Sequence, residues 1–261
     1  MYNPNEIFLS RTHLTRIFEE ASGEICLLGG WAVYQLVNED FKEARGHDYL
    51  GSRDIDLGFH IDPDWTIEDL ESSSLNASIK LLKSMRFRWQ GFRLFKDFDA
   101  DTLQELAPDH SRLKPQFEIV RLFVDPVVDH LHPKFRSIFG FDPIDEPYLS
   151  FTFQEGLFLE TRIAEMTVRL PPQHHLLAMK LNSVQNRNRE DKRIKDITDI
   201  YALLWFSGLS VDELRSRLFR IFDEEKARQV VRSLSPTEIS KAARAIGFEQ
   251  NEVSRVLSIL R

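Results

Sequence analysis

The chain has 261 residues and a mass of 30.5 kDa, with 42% hydrophobic and 29% charged residues, which excludes a mainly disordered polymer and suits a catalytic domain with a smaller partner. A formal charge of −7 argues against non-specific coating of nucleic acid, although a local basic groove remains compatible with it. The single cysteine, Cys26, excludes an intramolecular disulfide, and neither a basic-then-apolar start nor an apolar run of about 20 residues is present, so the expectation is a cytoplasmic protein with no membrane partner.

In chain order, Leu14, Ile17 and Phe18 recur at helical spacing, EICLL reads as a short apolar strand around a buried Cys26, and a helix is expected from Gly30. A strand follows from Arg53 to His60, a helix from Thr66 to Met85, and alternating stretches from Arg86 to Lys96 and Phe117 to Val124. The segments YLSFTF and TRIAEMTVRL look strand-like. From Pro171 the pattern is almost wholly helical, with Gly208 and Gly247 as punctuation. The expected fold class is α/β (α+β), a mixed sheet flanked by helices over residues 1–170 and a helical unit over 171–261. No internal repeat or low-complexity stretch interrupts it.

The chemistry is expected in two places. In LLGGWAVYQL, Gly29 and Gly30 lie between a strand and a helix, where backbone N–H groups can approach phosphate oxygens unobstructed. In GSRDIDLGF, Asp54 and Asp56 stand two apart, so both carboxylates leave one face of a strand while Ile55 and Leu57 face the core. Such a pair repels itself unless a cation intervenes, which points to a hard divalent metal, Mg²⁺ or Mn²⁺, able to bridge a triphosphate. The bland alternative is a solvated strand end with ordinary acidic residues.

These motifs resemble the nucleotidyltransferase superfamily, in which a hydrophobic residue with Gly-Gly or Gly-Ser precedes a strand carrying Asp-x-Asp. Here they are Leu28-Gly29-Gly30 and Asp54-Ile55-Asp56. The resemblance implies a nucleotidyltransferase fold, a nucleoside triphosphate as substrate, and triphosphate contacts at Gly29, Gly30, Ser52 and Arg53. The stretch Trp31 to Arg53 is longer than the family's usual gap, which implies an insertion near Glu39 to Tyr49. It also implies a third carboxylate on a neighbouring strand, for which FEIVRLFVDPVVD offers Glu118, Asp125 and Asp129. Asp125 is favoured because it follows the apolar run Leu122-Phe123-Val124, with a turn residue before Pro126 as its bland reading.

In HHLLAMKLNSVQNR, Lys180 falls inside the apolar stripe of Leu176, Leu177, Leu181 and Val184, and Arg187 emerges on the same side two turns on. The next helix carries Asp196 and Asp199, one turn from Lys192 and Lys195. Snorkelling and intrahelical ion pairs would explain these charges. The pattern is also similar to the C-terminal motifs of AbiEii-type nucleotidyltransferases, the toxins of abortive-infection toxin–antitoxin pairs, with Lys180, Arg187, Asp196 and Asp199 as matching residues. That resemblance implies phosphate contact for Lys180, a positioning or acid/base role for Asp196, an RNA acceptor and an antitoxin protein partner. GGWAVY with Asp-x-Asp downstream also looks like nucleotidyltransferases that modify aminoglycosides and lincosamides, which implies a small-molecule acceptor. A non-enzymatic nucleotide sensor or DNA-binding protein is the third reading.

Three further features have competing readings. MRFRWQGFRLFK interleaves Arg86, Arg88, Arg93 and Lys96 with Phe87, Trp89, Phe92 and Phe95, which suits either RNA contact or a hairpin turning at Gln90-Gly91. Residues 236–261 resemble a helix-turn-helix through Ala243, Gly247, Phe248, Val253 and Val256, or form a packing hairpin. Adjacent His174 and His175 lack metal-ligand spacing.

Overall fold

The computed structural model describes residues 3–261. Helix α1 (Pro4–Glu20) opens on a capping box formed by Asn3 and Glu6, and buries Leu14, Ile17 and Phe18, the stripe expected from the sequence. Strand β1 (Cys26–Leu28) then feeds directly into α2 (Gly29–Arg45), one residue earlier than the expected start. Of the stretch where the insertion is expected, residues 39–45 belong to α2 and 46–49 to the loop after it. Gly46, in the left-handed region at φ 74°, ends the helix and turns the chain back so that Tyr49 becomes buried.

Strand β2 (Asp54–Phe59) is the centre of the sheet, with Ile55 and Leu57 fully in the core. The single helix expected from Thr66 to Met85 is two, α3 (Ile67–Ser72) and α4 (Ser74–Ser84). Ser73 between them is extended, and its hydroxyl accepts the N–H of Asn76, so one serine ends the first helix and caps the second.

The basic-aromatic segment is the hairpin of β3 (Arg88–Gln90) and β4 (Arg93–Asp99), turning at Gly91 and Phe92. Phe87 and Phe95 are buried, Arg88 pairs with Asp97, and Lys96 with Glu105. After the short helix α5 (Pro108–Leu113), β5 (Ile119–Val128) is longer than expected and runs through Asp125-Pro126 without turning. Pro126 falls between Val124, the last residue paired with β4, and Val127, the first paired with β6 (Ile144–Asp145), so its missing N–H interrupts no ladder on that side.

The short helix α6 (Phe135–Phe139) precedes β6. YLSFTF is not a strand: Leu149 and Thr152, three apart, are buried on one side of α7 (Leu149–Glu155), which Gly156 ends at φ 61°. TRIAEMTVRL contributes to the hairpin of β7 (Leu159–Ile163) and β8 (Met166–Leu170). The eight strands form one mixed sheet in the order β3-β4-β5-β2-β1-β8-β7, with β6 beside β5; β2 is antiparallel to β1 and parallel to β5.

The rest is helical: α8 (Gln173–Asn186), α9 (Glu190–Phe206), α10 (Val211–Leu218), α11 (Glu224–Ser233), α12 (Pro236–Ala245) and α13 (Gln250–Leu257). Helix α9 is the hub, packing against α2, α8, α12 and α13. The last two helices form a hairpin about Gly247, whose carbonyl accepts a hydrogen bond from Arg45 while that guanidinium lies 4.5 Å from the Phe248 ring centroid. Among the described residues no helix is long and apolar enough to cross a membrane.

Candidate active site

Asp54 and Asp56 leave one face of β2, as their spacing requires, and the parallel pairing of β2 with β5 sets Asp56 directly opposite Asp125. On the other side, Leu28 of β1 lies opposite Asp56, so the entry to α2 sits against the same carboxylate. Gly29 has φ 63°, and a Cβ placed there would stand 1.8 Å from Asp56 Oδ2. A Cβ at Gly30 would stand 2.9 Å from the Ser52 Cβ. Both glycines are therefore required by contact, and Gly29 also by backbone conformation. No side chain caps α2, whose first residues, Gly29 and Gly30, line the cavity of the site.

Of the three candidates for the third carboxylate, only Asp125 joins this cluster. Glu118 lies at the far end of β5 beside Lys114, and Asp129 accepts hydrogen bonds from His60 Nδ1 at 2.6 Å and the Ile61 N–H at 2.8 Å.

Cations stand among the aspartates. Arg93 makes a two-pronged bond to Asp125, at 2.6 and 2.8 Å, reaches Asp54 at 3.2 Å, and stacks 3.8 Å over the Phe123 ring. Lys192 binds Asp54, and Arg53 approaches it at 3.7 Å. Burial opposes ionisation of Asp54, but Lys192 and Arg93 outweigh it and hold its carboxyl below the usual range. Burial and the charge of Asp54 push Asp56 up, while burial and the charge of Asp56 push Asp125 up to about 7 despite Arg93.

Among the described residues no group of three or more His, Cys, Asp or Glu side chains is arranged so that it could hold a metal ion. The donor chemistry nevertheless fits a hard divalent cation: three carboxylates converge, and the buried Asp54 Oδ1 has no hydrogen-bond partner. The space between them is held by Arg93 and Lys192.

A second charged cluster closes the site from α8 and α9. Lys180 does not snorkel; it is buried, donates to Asp196 at 2.9 Å and pairs with Asp199 at 2.7 Å. Asp196 also accepts from Ser183 at 3.0 Å and Arg187 at 2.9 Å, so that although burial opposes its charge, Lys180 and Arg187 bring its pKa to about 2. Asp199 accepts from Lys195 and, at 2.8 Å, from the Tyr49 hydroxyl. A cavity of about 510 Å³ separates the two clusters, and Gly29, Gly30, Ser52, Lys180, Arg187 and Lys192 all line it. Lys195 lines it too, its ammonium 3.5 Å from where a Gly30 Cβ would be.

The geometry sets Gly29, Gly30, Ser52, Asp54, Asp56, Asp125, Lys180, Arg187, Asp196 and Asp199 around one cavity, while Arg53 does not line it and reaches the site through Asp54. Arg93 belonged to an ambiguous aromatic run, and only the register of β4 on β5 carries it to Asp125. Lys195 pairs with Asp199 one turn on, as the helical spacing suggested, but Lys192 turns to Asp54 instead and Tyr49 reaches Asp199 through loop placement that no local motif announces. Phe92, 44% exposed, stands at the cavity wall beside Arg93.

Comparison with known proteins bears on this arrangement. Residues 51–255 match the family model described as the nucleotidyl transferase AbiEii toxin of type IV toxin–antitoxin systems. A comparison with curated protein sequences gave no significant match. Among solved structures, the chain is similar to an antigenic nucleotidyltransferase-like protein from Paracoccidioides brasiliensis, at 15% identity over 95% of each chain with a TM-score of 0.48.

Proposed function

The chain belongs to the AbiEii nucleotidyl transferase toxin family, and from that premise we propose that it transfers a nucleoside monophosphate from a nucleoside triphosphate to an RNA acceptor in the cytoplasm, under the control of an antitoxin protein. The observation that carries the reading is the convergence of Asp54, Asp56 and Asp125 against the Gly29-Gly30 helix start.

Asp54, Asp56 and Asp125 would hold Mg²⁺ or Mn²⁺, which neutralises charge on the triphosphate and acidifies the acceptor hydroxyl. The N–H groups at the start of α2 and the Ser52 hydroxyl receive the triphosphate, with Arg53, Lys192 and Lys195 supplying positive charge. Arg187 at the mouth supplies more. Lys180, Asp196 and Asp199 hold α8 and α9 over the nucleotide, and Lys180 adds a buried positive field toward the phosphates. In the transfer, the acceptor hydroxyl oxygen bonds the α-phosphorus as the bond from that phosphorus to the bridging oxygen of pyrophosphate breaks. Asp125 would help take the hydroxyl proton as a general base.

The test is RNA recovered from cells producing the protein or its Asp56→Asn variant. Nucleotides added to RNA 3′ ends by the unmodified chain alone support the reading. Unaltered RNA together with a nucleotide-modified small molecule transfers the proposal to an antibiotic-type acceptor, and tight triphosphate binding without any product leaves a nucleotide sensor.

A further inference from the structure

The cavity's lining changes character beyond Asp125 along β5, where Val127 pairs with Ile144, and this is its inner end. Leu28, Val127 and Ile144 line it from the sheet, and Leu176 and Met179 line it from α8. Polar side chains interrupt these apolar walls, among them Glu146 and Asn182. Glu146 is fixed in place because β6 pairs with β5 just before it and its own N–H donates to the Val128 carbonyl at 2.9 Å. Its Oε1 accepts the N–H of Tyr148 at 3.2 Å. Lys226 donates to Asn182 Oδ1 at 3.1 Å, which leaves the amide N–H groups of Asn182 for Glu146. The carboxyl is thereby oriented with hydrogen-bonding capacity to spare, while burial raises its pKa to about 7.

We propose that this inner end is the nucleobase subsite, and that Glu146 accepts a hydrogen bond from an exocyclic amino group of the incoming base. Amino-bearing nucleotides are then selected over their carbonyl-bearing counterparts. The inference rests on the nucleotidyl-transfer reading and adds the substrate class to it. A flat base needs apolar contact on its faces and a polar group at one edge, which is what the two walls and Glu146 supply. Lys195 lies at the Gly30 end and Lys192 against Asp54, so a triphosphate held by these cations leaves its base for the end lined by Val127, Ile144 and Glu146. A large acceptor enters instead at the mouth, beside Phe92, Arg187 and Arg189. A carbonyl set against the ionised Glu146 carboxylate would meet an acceptor with an acceptor, and the penalty for that mismatch makes the selection, which is therefore measured well above pH 7, where the carboxyl is ionised.

The experiment is calorimetric binding with Mg²⁺ of two near-isosteric pairs, cytidine against uridine triphosphate and adenosine against inosine triphosphate, with inorganic tripolyphosphate as the base-free probe. The unmodified protein is expected to bind the amino-bearing member of at least one pair about tenfold or more tightly. Glu146→Gln, whose amide can present a donor, is expected to erase or invert that preference with tripolyphosphate affinity unchanged. Equal affinities within both pairs for the unmodified protein overturn the inference while leaving nucleotidyl transfer intact, and so does a preference that survives in Glu146→Gln. Failure to bind any nucleotide overturns the transfer reading and the base subsite together.

Discussion

Gly29 and Asp56 face each other so closely that a single methyl group on the glycine would stand 1.8 Å from a carboxylate oxygen of the aspartate. Gly29→Ala is therefore expected to act twice: left-handed strain of about 1–2 kcal/mol, and displacement of Asp56. Gly46→Ala is the control, because Gly46 is also left-handed, at φ 74°, but its Cβ would meet nothing within 4 Å. Urea denaturation should show a loss of stability in both variants, whereas nucleotide transfer should collapse only in Gly29→Ala.

Arg93→Met should make the metal-free protein less stable, by roughly 1–3 kcal/mol, since it removes the two-pronged partner of Asp125 and leaves three carboxylates facing one another. Mg²⁺ should then raise the melting temperature more in the variant than in the parent. A smaller Mg²⁺-induced rise would mean that Arg93 does not share the cation site.

In the closing cluster, Lys180→Met removes the cation that Asp196 and Asp199 share, leaving Asp196 to Arg187 and Asp199 to Lys195, and should cost up to ~3–5 kcal/mol in a urea titration. Tyr49→Phe, which removes one neutral donor from Asp199 and keeps the ring packed on Phe41, should cost only about 1 kcal/mol. Comparable losses would show that the buried lysine is not the keystone of this cluster.

The pH dependence follows from Asp125. Its folded pKa, about 7, lies above the ordinary value of 3.8, so the folded chain holds this proton more tightly than the unfolded one. The stability so gained is complete below about pH 4 and is lost as pH rises toward 7. Glu146, raised to about 7, acts in the same direction. Denaturation midpoints between pH 4 and 8 should therefore fall less steeply in Asp125→Asn. Saturating Mg²⁺ should also flatten the parent's slope, because a cation favours the ionised carboxyl.

Much of this site was legible in the sequence, because two-residue periodicity suffices to align Asp54 with Asp56 and adjacent glycines suffice to mark an open helix start. Asp125 was recognisable from the apolar run before it, yet its Asp-Pro step reads locally as a turn. Only the gap between the β4 and β6 pairings explains how Pro126 stays within the strand. Arg93 was beyond local reading, since its partner lies 32 residues away across a strand pair. The long first gap is filled by the end of α2 and the loop that returns Tyr49 to Asp199, a contact spanning 150 residues that no local pattern could show. YLSFTF alternates like a strand, but burial of Leu149 and Thr152 on one side makes it a helix.

The most direct measurement compares α-³²P with γ-³²P nucleoside triphosphates, incubated with purified RNA, Mg²⁺ and either the unmodified chain or its Asp54→Asn, Asp56→Asn variant. Nucleotidyl transfer requires the α label to enter RNA and the γ label to leave as pyrophosphate, both only with the intact aspartates. Incorporation of the γ label into RNA, or α-label transfer that persists in the variant, would contradict the assignment of these carboxylates to nucleotidyl transfer.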